Sequence, residues 1–382
     1  MKTGSSLTIT VFVHGTLCSE LCIFDLVKTY HGTLDDHSPY IKFLRQARKN
    51  PLFFVDQTVM EEGIHQIDSA TITAIQNNEN YSYDVSRAAY FIIAAYDVIA
   101  RSVDTQKSHD RIYYAFGHLG ALSQAYRDHA AYELYLALCD IKERYSIEYE
   151  SVSLIIEAHS HGGNIVLKLH EKEQLHKRGL FIQSVTTWGM PIQYETAHLA
   201  AETTFGRVFN CYARHDTVQT IDALSTTQRK SHKTLWGSSL ISDSNASVYD
   251  ILLLVNDNEY AIGHMNMWLL THSYPRSRYS DPLPFVVFSP IMHHLASNTV
   301  SFALNFQLID TADTFYFALH PQEKPHDTSR TYQEQFECTT LLESVRTAVH
   351  NGWSHYKTPL HRLWLQREAR CVWRALKDYY TA

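Results

Sequence analysis

Apolar and polar positions along the chain alternate between two rhythms, one of period two and one of helical period. Leu7-Thr8-Ile9-Thr10-Val11-Phe12-Val13 alternates and then turns continuously apolar, the pattern of a strand buried on both faces. Between 20 and 80 the pattern is weaker: Pro51 to Asp56 predicts a short strand, and Asp68 to Asn78 reads as either a strand or a helix. Tyr83 to Val103 repeats its apolar residues at helical spacing and predicts a helix, and Arg111 to Phe116 predicts the next strand. Ser123 to Tyr145 predicts a long amphipathic helix with Ala130, Leu134, Leu138 and Ile141 on one face. Further on, strands are predicted over 153–156, 181–188, 207–213 and 248–255, with a helix over 164–176 and a polar loop over 220–247.

Strands that alternate with helices in this way predict the α/β class, with a doubly wound, mostly parallel sheet. That core is expected to occupy residues 1–275, with residues 276–382 as a C-terminal extension packed on it. In the extension, Val300 to Leu308 alternates, 310–313 turns, and Thr314 to Leu319 alternates again, predicting a hairpin over 300–319. Phe302, Leu304, Phe306 and Leu308 share one face, to which the second strand adds Phe315, Phe317 and Leu319. Two strands alone are marginal in water, so this face needs cover from the core. Helices are expected over about 339–349 and 360–379. The second carries Arg362, Arg367, Arg370 and Arg374, a solvated face whose alternative use is contact with an anionic membrane surface.

Composition narrows the function classes. A formal charge of −7 over 382 residues leaves no basic footprint for nucleic acid. A hydrophobic fraction of 45% is ample for a packed core, which argues against global disorder. The six cysteines, at 18, 22, 139, 211, 338 and 371, form no CxxC pair, and the 23 histidines form no HExxH, so neither a metal nor a cofactor is expected. No signal-peptide core follows Met1, and the apolar runs 88–96 and 284–292 are too short to span a bilayer. The expectation is a cytoplasmic protein without a transmembrane segment, with a signal-less route of secretion left open. Nothing in the pattern sets an oligomeric state.

The stretch with the most chemistry is Ser153-Leu154-Ile155-Ile156-Glu157-Ala158-His159-Ser160-His161-Gly162-Gly163-Asn164. A strand meets a small-x-Ser-x-Gly turn and a helix follows, the form of a nucleophile elbow, in which a tight turn lifts a serine hydroxyl above a parallel sheet. Small residues are needed two before and two after that serine, and Ala158 and Gly162 supply them. Asp216 follows the 207–213 strand and His264 follows the 248–255 strand, so nucleophile, acid and base appear in the order Ser160, Asp216, His264. Asp222, Asp243 and Asp257 are alternative acids, and His272 is an alternative base. His14, His159 and His161 are expected to serve backbone and packing roles.

With these motifs in view, the chain resembles the α/β-hydrolase superfamily on its lipase- and esterase-like side. Val13-His14-Gly15-Thr16, His159-Ser160-His161-Gly162-Gly163, Trp188-Gly189-Met190-Pro191, Asp216-Thr217-Val218 and Gly263-His264 carry the resemblance, over roughly residues 7–272. The segment from Tyr114 to Ser123 is similar to one in poorly characterised bacterial members. Ala158 departs from the usual glycine, and the first strand lies farther from the elbow than in compact members. The resemblance implies a serine hydrolase acting on a carboxylic ester with a lipid-like or other apolar acyl group. It implies Ser160 as nucleophile, His264 as base, Asp216 as the acid that orients it, and the backbone N–H groups of Thr16 and His161 as the oxyanion hole. A thioesterase or amidase with the same triad is the alternative enzyme. A non-catalytic fold used as a binding module is the alternative outside catalysis.

Overall fold

The computed structural model describes residues 5–15, 41–42, 44–45, 61–77, 88–103, 109–216, 218–221, 231–235, 248–255, 262–268, 284–295, 302–308, 315–321 and 332–336. Its strands are β1 (Ser6–Val13), β2 (Gly63–Gln66), β3 (His109–Gly117), β4 (Ser151–His159), β5 (Ser184–Trp188), β6 (Ile192–Gln193), β7 (Val208–Tyr212), β8 (Ser231–His232), β9 (Val248–Val255), β10 (Phe302–Leu308), β11 (Phe315–Pro321) and β12 (Tyr332–Phe336). The main helices are α1 (Ser69–Gln76), α2 (Ala88–Val103), α3 (Gln124–Ser146), α4 (His161–Leu167), α5 (Leu169–His176) and α6 (Ser289–Leu295).

Ten strands form one sheet in the order β12-β11-β10-β9-β7-β5-β4-β1-β3-β2, and β6 pairs with β8 apart from it. The seven strands from β10 to β3 run parallel, with β2 antiparallel on one flank and β11 and β12 on the other. The alternation of β1 explains how both faces fill. Leu7, Ile9, Val11 and Val13 pack with Leu134, Leu138, Ile165 and Leu169 of α3, α4 and α5. Phe12 points the other way, into a cluster with Phe91, Tyr96 and Ile99 of α2 and Ile291 of α6. The mostly parallel α/β sheet with helices on both faces is the arrangement that such doubly apolar strands require.

Several elements differ from their sequence reading. Asp68 decides the ambiguous 68–78 stretch as helix α1, because its carboxylate accepts from the N–H groups of Ala70 (3.3 Å) and Thr71 (2.9 Å). The single helix expected over 164–176 is two, α4 and α5, that meet at Lys168. Residues 181–183 lie outside β5, although Ile182 still forms a bridge with Phe205. The apolar run 284–292 is core: Phe285, Val286, Val287, Phe288, Ile291 and Met292 are all buried. Among the described residues no helix is long and apolar enough to cross a membrane. The strand expected at 51–56 and the helices expected at 339–349 and 360–379 fall outside the described residues.

The hairpin joins the sheet edge to edge. β10 runs parallel to β9, from Phe302 opposite Ile251 to Phe306 opposite Val255, and antiparallel to β11, with Phe306 opposite Phe317. A third strand, β12, then pairs with β11. β10 is therefore an interior strand, paired on both sides. Asn305→Pro removes a ladder hydrogen bond there and should lower the unfolding free energy by about 3 kcal/mol or more. Chemical denaturation measures this, and a loss below about 1 kcal/mol would show that the hairpin lies outside the cooperative unit.

A polar cluster lies inside the α2–α6 face. Glu157 on β4 is fully buried and accepts from Ser289 Oγ (2.6 Å), Trp188 Nε1 (2.9 Å) and Tyr96 Oη (3.2 Å). His293 Nε2 and Thr186 Oγ1 share a hydrogen bond of 2.7 Å beside it. Desolvation outweighs these donors and pushes the Glu157 carboxyl up to about 8. A raised folded-state value means that the folded protein keeps a proton that the unfolded chain has already released. The Glu157 contribution is thus full below the carboxyl's unfolded value and is lost as pH rises towards about 8. Glu157→Gln removes this dependence. The stability of the parent relative to Glu157→Gln should fall by on the order of 2 kcal/mol between pH 6 and 8, as read from denaturant curves. Parallel pH curves for the two proteins would contradict it.

Candidate active site

Ser160 joins β4 to α4 in a turn with φ 51 and ψ −132. Among the described residues only Lys177 shares a positive φ without being glycine, and it occupies the ordinary left-handed cap of α5. The ψ of Ser160 lies far from that well, so the serine is strained. Its surroundings hold it. Ser160 N–H donates to the Trp188 carbonyl at 2.9 Å, and Gly163 N–H donates to the Ser160 carbonyl at 3.0 Å. A Cβ at Gly15 would stand 2.6 Å from Ser160 Cβ, one at Gly162 would strike the His14 carbonyl, and one at Gly163 would lie 2.5 Å from Met190 Sδ. The glycines around the serine are therefore demanded by close approach, of backbone at Gly162 and of the Ser160 and Met190 side chains at Gly15 and Gly163.

Asp216 and His264 meet beyond the ends of the neighbouring strands β7 and β9. Asp216 follows β7, is fully buried, and accepts from the N–H groups of Val218 (3.0 Å) and Gln219 (3.3 Å) through Oδ1. Its Oδ2 accepts from His264 Nδ1 at 2.8 Å. With Nδ1 donating, Nε2 of His264 keeps the basic lone pair. Gly189 ends β5 with φ +64, and a Cβ there would lie 2.9 Å from His264 Nδ1 and 3.0 Å from Asp216 Oδ2. The alternative partners Asp222, Asp243, Asp257 and His272 lie outside the described residues.

His159 ties the two halves together. Its Nε2 donates to the His264 carbonyl at 3.3 Å, its ring lies 4.7 Å from the His264 ring, and it stacks on Trp268 at 5.5 Å. Burial, reinforced by the nearby His264, holds its pKa well below the usual histidine range, so it stays neutral. His159, the residue before Ser160, is thus in direct contact with His264. Among the described residues, no hydrogen bond closes between the Ser160 hydroxyl and the His264 ring.

His161 is the first residue of α4, where an N–H has no carbonyl four residues back within the helix. Its Nδ1 accepts from Arg127 Nη1 at 2.6 Å, since a guanidinium only donates. Thr16, the other expected oxyanion donor, lies outside the described residues, directly after Gly15. Arg127, His118 and Glu157 escaped the sequence reading. The one available signal was the placement of His118 and Glu157 at or near strand ends. Among the described residues, no three His, Cys, Asp or Glu side chains converge where they would hold a metal ion.

Ser160, Asp216 and His264 all stand beyond the carboxyl ends of the strands. The order in which the chain adds strands reverses between β1 and β4, the place where ligands enter open α/β sheets. A hydroxyl, an imidazole oriented by a carboxylate, and a helix start together suit nucleophilic attack on an electrophilic carbonyl. No family model, curated protein or solved structure matches the chain.

The strain at Ser160 is measurable. Glycine ordinarily costs about 0.5–1 kcal/mol against alanine, but only glycine tolerates the Ser160 backbone without strain. Ser160→Gly should therefore be more stable than Ser160→Ala by about 1 kcal/mol, compared by denaturant unfolding. The ordinary order, alanine above glycine, would mean that the turn relaxes in solution.

Proposed function

We propose that the protein is a serine hydrolase of the α/β-hydrolase type that cleaves carboxylic esters, with Ser160 as nucleophile, His264 as base and Asp216 as its orienting acid. The observation that carries this reading is the 2.8 Å Asp216–His264 pair, set beside a serine in a strained strand-to-helix turn. In the first step Ser160 Oγ bonds to the ester carbonyl carbon while its proton passes to His264 Nε2. The carbonyl oxygen becomes an oxyanion that the N–H groups of His161 and Thr16 receive. His264 then returns the proton to the departing alkoxide, leaving an acyl-serine. Water, deprotonated by the same imidazole, releases the acid and restores the hydroxyl. Closure of the Ser160–His264 hydrogen bond belongs to the substrate-bound state, as it commonly does. Asp216 holds the ring tautomer throughout.

The expected acyl group is lipid-like or otherwise apolar, as the sequence resemblance implies. The triad does not set the leaving group, so thioesters and amides belong in the same substrate panel. The intact protein should take a fluorophosphonate label at Ser160 and hydrolyse short acyl esters. Ser160→Ala should retain less than about one part in a hundred of the turnover while remaining folded. Asp216→Asn should lower kcat strongly without shifting the site of labelling. A protein that neither labels nor turns over any acyl substrate would be the binding module instead.

A further inference from the structure

Ser160 and His264 arrive from different strands, and the proposed chemistry requires a fixed distance between them. β4 delivers the serine, whereas His264 opens a short helical turn, His264–Met267, that lies beyond β9. The Asp216 carboxylate fixes one ring nitrogen of His264 at 2.8 Å, reaching it from the end of β7. His159, the last residue of β4, supplies a second link. Its Nε2 donates to the backbone carbonyl of His264 at 3.3 Å. A carbonyl only accepts, so the proton of a neutral His159 sits on Nε2 and Nδ1 carries the lone pair. The same ring lies 4.7 Å from the His264 ring and stacks on Trp268, just past the turn, at 5.5 Å with an interplanar angle of 12°. Trp268 is fully buried, and its ring lies 6.2 Å from that of Phe12 on β1. The segment bearing His264 is thus fastened at both of its ends to one side chain.

We propose that His159 is a positioning residue that sets the place of His264 relative to Ser160, an assignment that rests on the hydrolase reading of those two residues. The peptide between His159 and Ser160 is planar, and its N–H is pinned on the Trp188 carbonyl at 2.9 Å. The His159 ring has little room to shift, because its Nδ1 would stand only 3.2 Å from a Cβ at Gly15. A hydrogen bond from that ring to the His264 backbone therefore refers the imidazole to the same strand end that carries the serine hydroxyl. The two anchors divide the work. Asp216 orients the His264 ring, and His159 places the backbone from which the ring hangs. Burial, reinforced by the nearby His264, keeps His159 neutral, so it sets no positive charge against the imidazolium of the proposed reaction. His159 acts through His264 rather than on the substrate.

Substitution separates the donor of His159 from its ring. His159→Phe keeps an aromatic face for Trp268 and loses the hydrogen bond to the His264 carbonyl. In His159→Gln the amide nitrogen reaches about as far as ring Nε2 and can still donate, but the stacking face is lost. In His159→Asn the side chain reaches only as far as Nδ1, so neither is kept. A misplaced proton acceptor is felt in the transition state, so kcat should fall about tenfold or more in the Phe and Asn variants with KM nearly unchanged. The rate of fluorophosphonate labelling should fall in the same proportion, because labelling uses the same Ser160–His264 pair. His159→Gln should stay within about threefold of the parent in both measurements. A packing role predicts the reverse order, with Phe near the parent and Gln impaired. Nitrogen-15 NMR of the labelled parent should find His159 neutral and protonated at Nε2, a readout that needs no activity. A Phe variant as active as the Gln variant, a defect confined to KM, or a proton on Nδ1 would overturn the assignment. If the Phe variant fails to fold, equal kcat for the Asn and Gln variants would overturn it in the same way. Each of these results leaves the hydrolase reading standing so long as the parent labels at Ser160. A parent that takes no label would overturn that reading and this role with it.

Discussion

A serine at φ 51 and ψ −132 costs about 1–3 kcal/mol of backbone strain, and much of the surrounding structure exists to hold it there. The restraint begins in the sheet. β1 and β4 are neighbours in parallel register, with Val13 opposite Ala158, so the chain leaving β1 passes directly over the turn. Gly15 and Gly162 are the residues that meet at that crossing, and neither site has room for a methyl group. On the other flank the Trp188 carbonyl takes the Ser160 N–H, and Gly163 presses on Met190. Relaxing the serine would require moving two strands, each buried on both faces.

The same crowding decides where Asp216 and His264 sit. Gly189, at the end of β5, opens the space in which Asp216 and His264 meet, and Gln219 Nε2 donates to the Met190 carbonyl one residue further on at 2.8 Å. Asn164 of α4 reaches the Pro191 carbonyl at 3.0 Å. The loop after β5 is thus gripped from the helix that follows the serine and from the turn that follows the aspartate. Proposed nucleophile, acid and base come from three different strands, yet they share this one braced loop.

The legible parts of the sequence were those whose physics is local. The strand, small-Ser-Gly turn and helix around Ser160 show their pattern within a dozen residues, and β9 runs over the residues its apolar pattern marks, Val248–Val255. α3 likewise buries Ala130, Leu134, Leu138 and Ile141. Asp216 and His264 could be ordered along the chain, but their pairing depends on the order of β5, β7 and β9 in the sheet, which no periodicity encodes. β2 and β12 carry too few apolar residues to signal a strand, and pairing with β3 and β11 makes them strands. The hairpin was visible as a pattern, whereas its attachment to β9 was not, because an alternating strand looks the same whether its edge or its face is covered. His14 and His118 lie 104 residues apart, so only the sheet brings their rings together.

Charge around the elbow follows one rule. His159 is kept neutral by burial, and Glu157 keeps its proton up to about 8. Arg127 is the cation among them, hydrogen-bonded to the ring of His161, whose N–H is the proposed oxyanion donor. Its sign suits the oxyanion of the proposed reaction. Arg127 is buried, and a buried fixed charge acts more strongly than one at the surface. An ionised Glu157 three residues before the serine would oppose the oxyanion, and a charged His159 would compete with His264 for Asp216. In the proposed reaction, burying both in neutral form would leave Asp216 to face the imidazolium and the backbone N–H groups to face the oxyanion. The desolvation that makes these buried polar groups costly is therefore also what lets a few fixed dipoles separate the two charges of the proposed reaction.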